Sequence, residues 1–320
     1  MKRYVIVVMT VLIISALSYS VIAITSKQSN GLIGALDNSI KQGKDVGVSG
    51  VPSPISGHIF TGNYLRVGIN NLGTLGVTNG TKMGDPGVGF QASSDIPFQW
   101  PSTESVATGW WGEGYVVAYE VLGIDKVAYW QPGFGYPCSG CNVKPISNKI
   151  VTNTPTVAIK EVKVKTSDDN LTITFAFIFR KDLPTLKLET NINNTGTKRA
   201  SRIIYKRIVD WDVCGFNGNT WASSSTEVYA WGYCNDPIRS TIQLTMAGHD
   251  GISNIRDVPI VNYVDLNAWD DQNIRGPAFP IQSSTPIVGD YNAAIYYDIG
   301  GLNPGENKTI HTIYQISTKY

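Results

Sequence analysis

The sequence predicts an all-β protein: a large antiparallel β-sandwich, or supersandwich, that follows an N-terminal hydrophobic export or anchor helix. Long stretches alternate between apolar and polar residues, turn sequences rich in Gly, Asn and Asp separate them, and only 16% of the 320 residues are charged. Alternation with a period of two is typical of antiparallel strands with one buried face. Consecutive hairpins of this kind favour a sandwich or barrel over a parallel sheet.

The clearest hairpins lie in the middle of the chain. In EVKVKTSDDNLTITFAFIF the turn SDDN separates two alternating segments, and the next strand contains TLKLETNI. Alternation predicts an inward face for every second residue, namely Leu171, Ile173, Phe175, Phe177, Phe179, Leu186, Leu188 and Ile192. RIIYKRIVDWDV continues the meander, and YNAAIYYDI and KTIHTIYQIST supply two strands near the end of the chain.

The N-terminus predicts export. Lys2 and Arg3 precede an apolar run over residues 4–24, which fits a signal peptide or an uncleaved membrane anchor. Both alternatives place the rest of the chain outside the cytoplasm or at the cell surface. We expect residues 1–25 to be this segment, 26–55 a linker with a short helix at 32–41, and 56–320 the sandwich. The Pro-containing stretch 144–157 would be the boundary if the sandwich consists of two domains.

Cysteines and sequons fit an exported protein. The four cysteines are most simply interpreted as two disulfides, with zinc and redox sites as alternatives; they are Cys138, Cys141, Cys214 and Cys234. Sequons that predict glycosylation begin at Asn79, Asn170, Asn193 and Asn307.

Several motifs resemble those of a loose group of secreted, β-rich prokaryotic surface proteins. The motifs are YLRVGINNLGTLGV, PGVGFQ, WWGEGYVV, NNTGTKRASRIIYKRIVDWDV and LNPGENKTIHTIYQIST. The resemblance extends from about residue 63 to the end of the chain. It implies a large sandwich of the kind found in galactose-mutarotase-like domains and a location at the cell surface. The group provides no catalytic residues to transfer, and the composition also resembles that of archaeal proteins.

Asp210 and Asp212 form a candidate carboxylate pair in VDWDV. Residues two apart on a strand share a face and lie roughly 6.5–7 Å apart, close to the separation in inverting glycosidases. Lys206 is on the same face, so an ordinary salt bridge is an alternative, as is capping of the CGFNG turn by Asp212. Metal binding is a further interpretation.

A second oxygen-rich segment, YVDLNAWDDQN, is a candidate calcium loop. Calcium binds oxygen ligands at alternate loop positions, and the candidate ligands are Asp265, Asn267, Asp270 and Asp271. The segment lacks the glycine and terminal glutamate of an EF-hand, and a solvated acidic loop is the alternative. For cofactors, the sequence leaves two alternatives: none, or calcium at this loop.

The tryptophan pair in GWWGEGY is a candidate ligand-binding feature. Neighbours on a strand face opposite sides, so we expect one of Trp110 and Trp111 to pack in the core and the other to reach the surface. Glu113 follows them closely. Exposed aromatic rings beside carboxylates are a common way to bind sugars.

Two functional hypotheses follow. The first is a non-enzymatic extracellular or cell-surface protein for adhesion, envelope structure or self-assembly, with other envelope proteins as partners and the membrane too if residues 4–24 are retained. The second is a carbohydrate-binding or carbohydrate-active protein, glycosidase-like or mutarotase-like, that uses Glu113 with Asp210 or Asp212. A net charge of +1 argues against a nucleic-acid partner, and the sequence contains no Walker A, dinucleotide or G-x-S-x-G motif.

Overall fold

The computed structural model describes residues 56–77, 88–92, 113–130, 142–211, 220–223, 227–233, 241–248, 260–265, 286–288 and 292–319. These residues contain strands and no helix, which confirms the all-β prediction for this part of the chain. Accordingly, none of the described segments is a helix long and apolar enough to cross a membrane. The expected N-terminal helices, at 1–25 and 32–41, lie outside the described residues.

Within the described residues, seventeen strands form three antiparallel sheets. The strands are β1 Gly57–Thr61, β2 Leu65–Asn70, β3 Phe90–Ala92, β4 Glu113–Val121, β5 Ile124–Trp130, β6 Val143–Asn153, β7 Val157–Thr166, β8 Leu171–Arg180, β9 Thr185–Asn194, β10 Ala200–Asp210, β11 Thr220–Ser223, β12 Glu227–Tyr233, β13 Thr241–Ala247, β14 Ile260–Asp265, β15 Ile287–Val288, β16 Asn292–Leu302 and β17 Asn307–Lys319. Their orders are β1-β2-β3, β14-β16-β10-β4-β5 and β15-β11-β12-β13-β17-β9-β8-β7-β6.

The predicted meander forms the centre of the nine-stranded sheet. β7, β8 and β9 pair in succession, and all eight residues that alternation placed on the inward face are fully buried. The stretch 144–157 does not leave this sheet: most of it is β6, which pairs with β7 at the sheet edge. The main hydrophobic core contains residues from all three sheets, so the two smaller sheets pack on the inner face of the large one.

The central strands of the five-stranded sheet, β16, β10 and β4, are buried on both faces over most of their length. One face belongs to the main core, and the other carries a second cluster made of Val116, Ala118, Ile208, Ala294 and Tyr296. Lys206 is also buried on this second face, and its Nζ lies 5.3 Å from the centre of the Tyr296 ring. Burial on both faces explains why β4 is apolar almost throughout, because a strand covered on two sides has no solvent-facing positions.

Asp168 connects the β7–β8 turn to the five-stranded sheet. Its Oδ1 accepts hydrogen bonds from the hydroxyls of Thr166 (2.6 Å) and Tyr119 (2.8 Å), and its Oδ2 accepts one from Asn170 Nδ2 (2.7 Å). Partial burial alone would raise the pKa of Asp168, but these hydrogen bonds outweigh it and hold the pKa below its usual value. The ionised carboxylate therefore stabilises this junction.

We expect Asp168→Asn to lower the free energy of unfolding at pH 7, because the charge-assisted hydrogen bonds become neutral and Asn170 Nδ2 loses its acceptor. A lowered pKa gives a contribution that is present above the pKa of an unfolded Asp, ~3.9, and is lost as the pH falls through the folded-state pKa. Urea unfolding followed by circular dichroism measures the difference between wild type and variant. This difference should shrink between about pH 5 and pH 2; a constant difference would show that the carboxylate charge plays no part.

Candidate functional site

Glu113 and Arg207 form a fully buried ion pair between the sheets. Glu113 is the first residue of β4 and lies opposite Val209 of β10, two residues beyond Arg207. Arg207 Nε donates to Glu113 Oε1, and Arg207 Nη2 donates to Glu113 Oε2; both donor–acceptor distances are 2.5 Å. Both side chains have zero solvent exposure. This two-bond geometry is the strongest way in which an arginine can bind a carboxylate.

Further hydrogen bonds tie this ion pair to the other two sheets. Tyr314 of β17 accepts from Arg207 Nε (2.9 Å) and donates to Glu113 Oε1. In the turn after β2, Gly73 O accepts from Arg207 Nη1 (3.0 Å) and Leu75 N donates to Glu113 Oε2 (2.6 Å). The three sheets therefore meet at one polar cluster inside an apolar core.

The turn at Gly73 requires glycine. Its φ is +87°, and a Cβ at this position would lie 2.2 Å from Phe175 Cδ2. Phe175 also packs against the guanidinium of Arg207, whose carbon lies 5.6 Å from the ring centre. Only glycine can bring its carbonyl oxygen to Arg207 while leaving room for the Phe175 ring.

The buried carboxylate has no capacity left for a substrate. Each Glu113 oxygen accepts two hydrogen bonds, one from Arg207 and one from Tyr314 or Leu75, which uses about four acceptor positions. Burial raises the pKa of Glu113, and the attraction of Arg207 opposes this rise. Burial alone would lower the pKa of Arg207, but Glu113 raises it above the usual value, so the guanidinium stays charged.

Glu113 lies in the buried core and not in an open cleft. Val209 is opposite Glu113 and buried in the same core, and Asp210 is the next residue along β10. In the described part of the chain, Glu113 therefore stabilises the fold. The sequence hypothesis had given it an acid/base role instead. Asp212 lies outside the described residues.

Most of the other predicted site residues belong to segments that the structure does not describe. Those outside the described residues are Trp110, Trp111, Asn267, Asp270, Asp271, Cys138, Cys141, Cys214, Cys234 and Asn79. Asp265 ends β14 opposite Asn292, which in turn is opposite Asp210. No group of three or more His, Cys, Asp or Glu that could hold a metal occurs among the described residues. The calcium loop and glycosylation at Asn170, Asn193 and Asn307 stay predictions.

A stacked aromatic pair lies on the outer face of the nine-stranded sheet. Tyr229 and Trp231 of β12 have ring centres 5.6 Å apart and planes inclined by 23°, and both are partly exposed. Their neighbours Val228 and Ala230 point into the main core, so alternation directs the two aromatic residues outward.

Uncharged polar residues adjoin the aromatic pair. Trp231 is opposite Gln243 of β13, and Tyr229 is opposite Thr245, which is opposite Gln315 of β17. Gln243 Nε2 donates to Thr245 Oγ1 over 3.2 Å. We call these five residues the Tyr229–Trp231 surface. It combines flat aromatic rings with amide and hydroxyl groups, which can contact an apolar ring face and hydrogen-bond its polar substituents at once.

The polar character of this outer face continues across the sheet. On β9, Asn191 Nδ2 donates to Asn307 Oδ1 and to Thr309 Oγ1 of β17, and both distances are 2.9 Å. Charges on β9 are paired, because Lys187 Nζ lies 3.0 Å from Glu189 Oε1. Along β9 and β17 the outer face thus offers several amide and hydroxyl groups, and the charges of Lys187 and Glu189 compensate each other.

The sequence held signals for both features. Arg207 has the same parity as the apolar residues Val209 and Trp211, both of which are buried, so a buried arginine with a partner could have been expected. In EVYAWGY, the small apolar residues Val228 and Ala230 alternate with Tyr229 and Trp231, which is the pattern of outward aromatic residues. The tryptophan pair at residues 110 and 111, which the sequence favours as a ligand-binding feature, lies in a different segment.

The chain is similar to several solved structures of carbohydrate-active proteins. One of them is a bacterial glucoamylase that was solved with acarbose. The match covers 86% of this chain and 35% of the glucoamylase, with 8% identity and a TM-score of 0.44. An α-galactosidase from Geobacillus stearothermophilus is matched over 82% of this chain and 41% of its own, with 8% identity and a TM-score of 0.37. The chain therefore spans about two fifths or less of these two proteins.

An aldose epimerase homologue from C. elegans is matched over its whole length. The match covers 83% of this chain and 100% of the homologue, with 10% identity and a TM-score of 0.39. No protein-family profile matches the sequence, and no curated protein is similar to it. Identities and TM-scores this low do not assign the chain to a family.

We expect removal of one partner of the buried ion pair to destabilise the protein strongly. Glu113→Gln and Arg207→Met should each lower the free energy of unfolding by about 3–5 kcal/mol, because each leaves polar or charged atoms buried without a partner. The double variant should lose much less than the sum of the two. Glu189→Gln, which removes the exposed partner of Lys187, is the matched control and should cost less than about 1 kcal/mol. Urea unfolding measures these losses. If the double variant lost the sum of the two single-variant losses, the coupling between Glu113 and Arg207 would be refuted.

Proposed function

We propose that the protein is an extracellular carbohydrate-binding β-sandwich protein that binds its ligand through the Tyr229–Trp231 surface. The observation that carries this proposal is the stacked pair, which faces away from the core although both rings are large enough to fill it. Both rings are partly exposed side by side, and a contiguous exposed apolar patch is typical of a ligand- or partner-binding site. Its position beside Gln243, Thr245 and Gln315 provides polar groups at the same site.

The chemistry of this surface favours a neutral saccharide. One side of a pyranose ring presents C–H bonds that pack on an aromatic ring, while its hydroxyls at the ring edge need hydrogen-bond donors and acceptors. The amides of Gln243 and Gln315 each offer both donors and acceptors. The five residues of the surface carry no charge, so ion pairing with an acidic or basic polymer has no basis there.

Binding rather than bond cleavage is the activity that we propose. The one glutamate that the carbohydrate hypothesis requires, Glu113, has its four acceptor positions occupied and no exposed surface. An acid/base catalyst must reach the proton that it transfers. The apolar run at residues 4–24 supports an exported or surface-anchored location, where saccharides of the cell envelope would be the available ligands.

We expect Trp231→Ala to weaken saccharide binding by about tenfold or more. A stacked aromatic contact contributes about 0.5–1.5 kcal/mol beyond its buried area, and 1.4 kcal/mol corresponds to a factor of ten. The probe is an array of neutral mono- and oligosaccharides, followed by calorimetric titration of the saccharide that binds best. Because no ion pair is involved, we expect the same affinity at 0.05 M and 0.5 M salt.

Tyr64→Ala is the matched control for this experiment. Tyr64 is a solvent-exposed aromatic residue (38%) in the turn between β1 and β2, so its loss should leave binding unchanged. The proposal fails if wild-type protein binds no neutral saccharide of the array. It also fails if Trp231→Ala binds as tightly as wild type while both variants keep the wild-type thermal unfolding curve.

A further inference from the structure

β6 is a long edge strand that the rest of the described structure leaves open. It pairs with β7 on one side, and no described strand pairs with its other side. Residues 144–151 are exposed without interruption. In contrast, the edge of β5 is partly occupied, because Asn142 accepts from Tyr129 N (2.9 Å) and donates to Val127 O (2.5 Å). An open edge presents unpaired backbone groups that another strand can pair with.

This edge is unusually apolar for a surface strand. Three of the eight exposed large apolar residues in the described chain lie on β6: Ile146 is 48% exposed, Ile150 43% and Val151 53%. Edge strands that must stay single normally carry several charges or Pro. β6 does have Pro145 and two register shifts, one at Ile146 and one at Val151. These irregularities confine regular pairing to the segment between them, residues 147–150.

The lysines of β6 are already neutralised within the chain. Lys149 Nζ lies 3.0 Å from Glu161 Oε1, and Lys144 Nζ lies 3.8 Å from Asp169 Oδ1. Neither lysine therefore requires a carboxylate from a partner, and an approaching strand meets little net charge. This compensation favours a partner strand that is itself uncharged or neutralised in the same way.

We propose that β6 pairs antiparallel with β6 of a second copy of this chain, centred on Asn148. In an antiparallel pair of two identical strands related by a twofold axis, directly opposed residues lie on the same face of the sheet. Because faces alternate along a strand, the numbers of two opposed residues differ by an even amount. Centring on Asn148 sets Lys149 opposite Ser147 of the second copy and brings Ile150 beside its Ile146, the first residue outside the regular segment. The neighbouring register, centred on Lys149, would oppose two lysines and is therefore disfavoured. The result is one continuous sheet across both copies.

Ile150→Lys tests the pairing. The full chain, purified in mild detergent, is examined by sedimentation velocity over a range of concentrations. Wild type should dimerise reversibly, and Ile150→Lys should raise the dimer dissociation constant at least tenfold because it brings a charge against Ile146 of the other copy. Ile124→Lys is the matched control: Ile124 is 58% exposed on the edge strand β5, and its substitution should leave the dissociation constant unchanged.

Cysteine cross-linking tests the register. Opposed residues in an antiparallel pair have Cα atoms about 4.5–5.5 Å apart, which suits a disulfide. Asn148→Cys should therefore form a disulfide-linked dimer under mild oxidation, beyond any seen with wild type, whereas Thr152→Cys, expected opposite Lys144, should not. A wild-type protein that stays monomeric at all concentrations would overturn the proposal. So would a dimer that tolerates Ile150→Lys, or one that cross-links through Thr152→Cys and not through Asn148→Cys.

Discussion

The ion pair between Glu113 and Arg207 is the interaction on which the arrangement of the three sheets depends. The two residues lie on β10 and β4, and their hydrogen-bond partners lie on β17 and in the turn after β2. Each sheet therefore contributes to one buried polar cluster. Burial of two charges is costly unless every donor and acceptor is satisfied. The cluster therefore tolerates one relative position of the three sheets, which a purely apolar core would specify less sharply.

This constraint separates the two faces of the nine-stranded sheet by role. The inner face is committed to the core and to the ion pair, and its residues on β7, β8 and β9 are buried. The outer face carries Tyr229, Trp231 and a row of amides and hydroxyls that the core does not need. Function on the outer face can therefore vary without disturbing the inner face, since alternate residues of a strand belong to different environments.

Alternation along the strands made much of the large sheet predictable. The buried positions from Leu171 to Phe179, and Leu186, Leu188 and Ile192 on the next strand, follow directly from period two. The sequence could not predict the sheet order, because it depends on pairs far apart in the chain: Tyr314 and Glu113 are 201 residues apart and still share a hydrogen bond. For the same reason Glu113 resembled a free carboxylate in the sequence. Its partner, Arg207, becomes visible only when β4 and β10 are paired.

Hydrogen–deuterium exchange of the full chain, with and without the saccharide that it binds best, tests the central claim most directly. The account predicts that the ligand protects backbone amides of β12 and β13 around Trp231 and Gln243, and that β4 and β10 near Glu113 exchange equally slowly in both states. Protection that appears around Glu113 and Arg207, with no change in β12 and β13, would contradict the assignment of binding to the outer face.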